Sequence, residues 1–331
     1  MNKALKILSQ AVDQFPRNGI ATGEQMKVFH AVTRSIHDLS AAILNCEETG
    51  IERTDILKQI ESVRRVWADS PFFKRIQEWP TGYQGDFETI EYLYHARNPN
   101  SSETSPQTFD ASESFSNTYS VANIIEKWIL SSFAAQQHRN KVQWQADTIS
   151  EIISRNPTRS NILSLAAGGN LDIELAMKRW VDKTSLVIND IDEKAIAFSR
   201  KRLSAIVGNC HFLPGNVLRI FRKAQSFGPF DLVLAGGLFD YLKDEHAVFV
   251  LRNVYTKLMK RKGTFCFTNI AKNNPYRPLI EYVGNWFLLE RDETDILELT
   301  RQTGIKDSEV IIERNKTELS LLVRITNLQT Q

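Results

Sequence analysis

Cysteine is scarce. The 331 residues include three, Cys46, Cys210 and Cys266. An odd set at unrelated spacings supports neither a disulfide framework nor a cysteine-based metal site. No metal is expected, and a reducing cytoplasm is the expected location. Long apolar runs are also missing: stretches such as 232–234 and 286–289 fall far short of the ~20 apolar residues a spanning helix needs. The N-terminal MNKALKILSQAVDQF has no uninterrupted apolar core and no small-residue cleavage site. An amphipathic helix is expected there rather than a signal peptide. Neither sign of charge dominates, since 41 Lys and Arg against 39 Asp and Glu leave +2. That balance, with no basic stripe, argues against a nucleic-acid partner or an anionic membrane surface. Internal repeats, a Gly-Lys-Ser/Thr phosphate loop and a GxGxxG fingerprint are absent as well.

What is present has two rhythms. Residues 1–95 show helical periodicity, with Ile36, Leu39, Ala42 and Ile43 at spacings of three and four, then Val63, Val66 and Trp67. Gly19 and Gly23 punctuate the start. Residues 98–118, rich in Ser, Thr, Asn and Pro, read as a loop. A helical pattern runs from Val121 to Ile153, with Ile124, Ile125, Trp128 and Ile129 on one face, and Asn156-Pro157 ends it. Beyond Asn161 the pattern becomes five short apolar runs (NILSLAA, SLVIND, HFLPG, FDLVLAG, GTFCFTNI) alternating with amphipathic stretches. Two further runs, SEVIIE and LSLLVRI, follow with few residues between them. The expected architecture is α/β: a Rossmann-like, doubly wound, mostly parallel seven-stranded sheet with an antiparallel edge hairpin, preceded by a helical domain. The expected division is a helical cap or lid over 1–155 and an α/β domain over 156–331. The helical faces suit either a lid over an apolar substrate or a homodimer interface.

In a doubly wound sheet, ligands sit at the carboxyl ends of the strands. After the first run comes Leu165-Ala166-Ala167-Gly168-Gly169-Asn170, where small residues permit close backbone approach and the next helix offers N–H groups. Without a ligand the same residues make a tight turn. About 22 positions on, Asp190 ends the second run, placed to accept hydrogen bonds from both hydroxyls of a ribose, with Ile191 beside it. Asp192 reads as the N-cap of the next helix. After the third run, Asn216 and Val217 lie where an adenine edge would sit, although Asn216 also reads as an N-cap. After the fourth run, Ala235, Gly236 and Gly237 would lie under the reacting end of a nucleoside cofactor.

Several segments carry a family resemblance. They are GYQGDFETIEYLY (Gly82 to Tyr94), SSFAAQQHRNKV (Ser131 to Val142), FDLVLAGGLFDYLKDEHA (Phe230 to Ala247) and NPYRPLIEYVGNWFLLERDETDILEL (Asn274 to Leu299). With these segments the chain resembles the class I S-adenosylmethionine-dependent methyltransferases over roughly residues 80–325. It is most similar to the branch linked to biosynthesis of extracellular factor, 3-hydroxypalmitic acid methyl ester. Two departures stand out: Ala-Ala-Gly-Gly-Asn replaces the family's Gly-Ser-Gly-Pro, and Gln84 replaces a proline.

The resemblance implies S-adenosylmethionine as cofactor and methyl transfer to a carboxylate of a small molecule or peptide, such as a hydroxy fatty acid, giving a methyl ester. A carboxylate is already a nucleophile, so alignment and removal of water are the main tasks. The resemblance also pairs Arg139 with the carboxylate of the methionine tail, although Arg139 reads as a surface arginine too. Tyr83 and Asp86, in the Gly82–Asp86 turn, are placed to close over the cofactor; the same residues read equally as a tight turn with Asp86 as the N-cap of the next helix. Asn269, Tyr276 and Arg277 follow the fifth run on the expected substrate side, Arg277 to hold an acid and Tyr276 to donate to it. A structural loop braced by Pro275 and Pro278 fits them as well. Tyr241 borders the reacting end, and His138 is the one histidine placed to accept a proton. Rival functions are N-methylation of an amine, which requires a base because the amine is protonated at neutral pH, and non-catalytic binding of the cofactor. An Asn/Asp-Pro-Pro-Tyr/Phe segment, frequent in enzymes that modify amino groups of bases, is replaced by GGLFDY.

Overall fold

The computed structural model describes residues 25–95, 121–156, 158–177 and 183–328. The loop expected at 98–118 and the N-terminal amphipathic stretch with Gly19 and Gly23 lie outside these residues. Two compact units are present, one formed by Met1–Gln136 with Asn273–Phe287, the other by Gln137–Lys272 with Leu288–Gln331. Sequence alone sets the division at 155/156. By contacts it falls nearer the N-terminus, because the helix reaching Arg155 buries Ala146, Ile149 and Ile153 in the core of the second unit.

The first unit is helical: α1 (Gln25–Glu48), α2 (Arg53–Gln59), α3 (Glu61–Trp67), α4 (Pro71–Glu78), α5 (Phe87–His95) and α6 (Val121–Ser131). The spacing of α1 does what it predicts, since Ile36, Leu39, Ala42 and Ile43 are all buried. Ser70 caps α4 ahead of Pro71, which suits the first helical position because its missing N–H would have no partner there. Asp86 caps α5, its carboxylate accepting the Thr89 amide at 2.6 Å. One buried acid joins three of these helices. The Glu126 carboxylate on α6 accepts hydrogen bonds from the Ser70 and Tyr92 hydroxyls and from the Phe72 amide. Burial pushes its pKa up and these donors oppose the shift.

The segment 273–287, assigned by sequence to the substrate side of the α/β half, packs into this helical unit. The Trp79 indole donates to the Asn285 carbonyl, and the Gln77 amide donates to that of Val283.

The second unit opens with α7 (Phe133–Arg155), which begins in the first; the helix expected to run unbroken from Val121 is interrupted at Ser132. There follow β1 (Ser160–Ser164), α8 (Leu171–Met177), β2 (Thr184–Asp190), α9 (Glu193–Arg202), β3 (Cys210–Pro214), α10 (Val217–Gln225) and β4 (Phe230–Ala235). After them come α11 (Asp244–Asn253), β5 (Met259–Ile270), α12 (Glu293–Arg301), β6 (Val310–Arg314) and β7 (Ser320–Thr326). The sheet order is β3-β2-β1-β4-β5-β7-β6, with β7 antiparallel to both its neighbours. This is the seven-stranded, doubly wound, Rossmann-like sheet with a closing antiparallel hairpin that the alternating runs predict. The central strands read as continuous apolar runs because helices cover both faces. One core layer gathers Leu163, Val233, Phe265 and Phe267; the other holds Ile162, Leu186, Leu232 and Leu234. Among the described residues no helix is long and apolar enough to cross a membrane.

Candidate functional site

Strand order reverses between β1 and β4. These two lie side by side in parallel, yet the chain leaves β1 toward β2 and leaves β4 toward β5. The crevice outside their carboxyl ends is where a doubly wound sheet takes its ligand. Two small-residue loops flank it, 165–170 and 235–241.

The first loop is tied down at both sides. The Leu165 amide donates to the Leu234 carbonyl, and that of Ala167 to the Asn189 carbonyl. Backbone torsions then alternate, with left-handed φ at Ala166 (46°), Gly168 (56°) and Asn170 (55°). Left-handed backbone at a residue with a Cβ is costly, and it concentrates at ligand sites. Sequence reasoning pointed to the small residues of this loop, Ala166 among them; Gly168 and Asn170 are residue types that take this conformation readily, so the cost falls on Ala166.

Asp190, at the end of β2, completes this loop. One carboxylate oxygen accepts the Gly168 amide at 2.8 Å and the other the Asp192 amide at 2.9 Å. The residue is buried, and burial pushes its pKa up against the opposing amide bonds. The Ile191 amide contributes as well, and a carboxylate has about four lone-pair sites, so acceptor capacity remains for a ligand hydroxyl. Ile191, next in sequence, is 63% exposed, an apolar surface beside a carboxylate. Asn189, overlooked in the sequence, clamps the end of β3, its amide donating to the Leu213 and Gly215 carbonyls at 2.8 Å each. Asn216 caps α10 through the Leu218 amide, and Val217 is buried behind it.

The second loop is held from three directions. Phe239 stacks on Phe267 with centroids 4.0 Å apart. Asp240 accepts the Ile270 amide at 2.6 Å and the Lys141 ammonium at 3.1 Å, and this ion pair is buried, with side chains 5–6% exposed. A Cβ on Gly236 would come within 2.8 Å of Gln145 Oε1, so α7 passes directly against the end of β4. The Gly236 carbonyl accepts from the Thr268 hydroxyl. Ala235 is buried, Gly237 opens the turn and Tyr241 is 37% exposed. Lys141 and Gln145 share one face of α7 at a spacing of four. That spacing was visible in the sequence, but nothing there names the partner that makes it meaningful.

His138 lies one turn before Lys141. Burial, with the Lys141 and Arg139 charges, lowers its pKa to about 3. The imidazole is therefore neutral at ordinary pH and a weak proton acceptor. Arg139 is buried on the same turn. Asn269 proves to be a brace: fully buried, it donates to the Ile270 and Leu289 carbonyls and accepts from Arg291 at 2.7 Å. Arg291, also unforeseen, reaches on to the Phe239 and Leu242 carbonyls and to Asp244.

Three other expected site residues belong to the helical unit. Tyr83 is half-exposed in the Gly82–Gly85 turn. Tyr276 packs against Trp128, with centroids 5.9 Å apart, and burial raises its pKa. Arg277 forks onto Glu47 and also reaches Glu281 at 3.1 Å. Its charge is matched by the Glu47 and Glu281 carboxylates, which corrects the expectation of a guanidinium held ready for a substrate acid. The Arg277 hydrogen bond in turn lowers the Glu47 pKa. Arg277→Gln is accordingly expected to cost about 1 kcal/mol at pH 7, the pair being partly solvent-screened. A lowered carboxylate pKa contributes stability above the ordinary glutamate value of about 4.3 and loses it as pH falls through the lowered one. Thermal melts should show the wild-type advantage shrinking toward pH 3.

No protein-family model matches this chain, and no curated protein matches it. Solved structures do. A candidate exported protein from Bordetella parapertussis is similar over 98% of this chain and 95% of its own, at 12% identity and a TM-score of 0.55. A candidate O-methyltransferase from Nostoc punctiforme PCC 73102 matches over 58% of each chain, at 12% identity and a TM-score of 0.45, so little over half of that protein's length is spanned. Magnesium protoporphyrin IX methyltransferase from Synechocystis PCC 6803, with bound SAH, matches over 59% of this chain and 87% of its own, at 15% identity and a TM-score of 0.45. At these identities the likeness is one of fold.

Proposed function

We propose that this protein is a methyltransferase that uses S-adenosylmethionine and that its acceptor is a carboxylate. The observation that carries the reading is Asp190: a buried carboxylate at the end of β2, bound to the amide of the glycine loop, with lone pairs left for a ribose. The residues present fit the cofactor. Asp190 would hold the ribose, Ile191 and Val217 would border the adenine with Asn216 at its edge, and Ala166 to Gly169 would follow the tail. Ala235 to Gly237 would pass beneath the reacting end, and Arg139 would serve the carboxylate of the tail. When bound, the cofactor supplies an electrophilic methyl group.

The chain's own residues suit an acceptor that arrives ionised. His138, with its pKa near 3, gains no proton from an ammonium at neutral pH. Orientation by the loop 236–241 and exclusion of water are then the main contributions, with Tyr241 bordering the acceptor. Within this class, a hydroxy fatty acid is the acceptor that the extracellular-factor resemblance favours.

The test is a transfer assay with labelled S-adenosylmethionine, offering 3-hydroxy fatty acids, aromatic acids and short peptides beside matched amines. A base-labile product from one acid class is expected. Label on amines alone would overturn the carboxylate, and cofactor binding without transfer to any acceptor would favour a non-catalytic binder.

A further inference from the structure

We propose that Ser199 and Arg202, on α9, are positioning residues that set the loop 166–170 in its ligand-binding shape before a ligand arrives. The inference rests on reading that loop as the cofactor site. Alternating left-handed torsions at Ala166, Gly168 and Asn170 do not hold themselves, since Ala166 carries a Cβ that makes its torsion costly. Strained backbone of this kind persists only where its surroundings over-determine it.

α9 supplies that determination. The Ser199 hydroxyl donates to the Gly168 carbonyl at 2.8 Å and accepts from the buried Asn170 amide at 2.7 Å. One turn on, the Arg202 guanidinium donates to the Gly169 carbonyl at 2.8 Å. The Arg202 side chain is 2% exposed, lies 3.0 Å from the Glu174 carboxylate and sits 4.7 Å over the Phe198 ring. Two consecutive loop carbonyls are thereby drawn toward α9, while Asp190 holds the Gly168 amide. A peptide is planar and trans, so fixing the Gly168 carbonyl toward Ser199 turns the Gly169 N–H away from α9. That N–H is a donor for the anionic tail of a nucleoside cofactor. The orientation is fixed by side chains bound to the loop itself, and pre-organisation of this kind appears as affinity.

The experiment is calorimetric titration of the full chain with S-adenosylhomocysteine, comparing wild type, Ser199→Ala, Arg202→Ala and Arg202→Lys, with ligand-free thermal melts beside it. Arg202→Ala is expected to raise Kd about tenfold and Ser199→Ala about threefold, about the effect of one neutral hydrogen bond. Arg202→Lys should recover part of the loss, since an ammonium can donate to the Gly169 carbonyl without the planar fork. Should Arg202→Ala not fold, the hydroxyl deletion decides alone. Variants that melt earlier yet bind as wild type would make these residues structural and overturn the inference. A wild-type protein that binds no S-adenosylhomocysteine would instead overturn the cofactor reading itself.

Discussion

Asp190→Ala is expected to abolish cofactor binding and leave the fold standing. Two ribose hydroxyls bound to one ionised carboxylate are each worth about 1.5–3 kcal/mol. Losing both raises Kd by roughly a hundredfold or more. The effect on stability should be small by comparison. The substitution unpairs the Gly168 and Asp192 amides, but it also removes a carboxylate whose burial is itself unfavourable. Asp190→Asn keeps the shape and is a sharper test. One of its atoms becomes a donor, and since each oxygen accepts a backbone amide, that donor faces an N–H whichever way the amide turns. Binding should weaken by about tenfold or more without recovery at any pH. Titration with S-adenosylhomocysteine, alongside a ligand-free melt, reads both quantities. Retained binding in the alanine variant would sink the assignment.

The same carboxylate sets a pH dependence. Its pKa is raised by burial, and the ribose is bound by the ionised form. Affinity should therefore fall about tenfold per unit of pH below that raised value, beginning above the ordinary aspartate pKa of about 3.9. Loss of binding there is not loss of fold through this group. The folded chain holds the proton more tightly than the unfolded chain does, so protonation of Asp190 stabilises the fold as pH falls. A weakening of binding that coincides with a falling melting temperature would point to other groups.

Much of this site was legible in order along the chain and much was not, for a physical reason. Strands announce themselves by apolar runs, and the residue that ends each run falls at the carboxyl edge of the sheet. That is how Asp190, Gly168 and Gly236 could be found. Caps are local, so Asp192 and Asn216 could be read directly. Lys141 with Asp240 and Arg291 with Asn269 are pairs between distant segments, and no local pattern joins them. Arg277 misled for the complementary reason: an arginine after a strand suggests a ligand, but Glu47, far away in sequence, claims it. The segment 273–287 lies between elements of the sheet, yet its contacts with Trp79, Gln77 and Glu47 bind it into the helical unit.

Lys141→Met is expected to be strongly destabilising, and a second substitution should restore most of the loss. With Lys141 gone, Asp240 keeps the Ile270 amide but is left as a buried charge without its counter-ion. Breaking one side of such a pair costs about 3–5 kcal/mol, a fall of about 10 °C in melting temperature for a unit of this size. Lys141→Met combined with Asp240→Asn removes both charges and keeps an oxygen for the Ile270 amide. The buried ion pair itself contributes little net stability, so the double variant should melt within about 1–2 kcal/mol of wild type. Transfer activity should not recover with the fold. The ion pair fixes the loop 236–241 against α7 and β5, and an asparagine with no ammonium to face holds it more loosely; small misplacements at a reacting centre cost about a hundredfold. Melting temperature and kcat measured on all four members of the cycle separate the two roles. Recovery of both together would reduce the pair to a structural contact. Recovery of stability alone would make it the device that aligns the end of β4 with the acceptor.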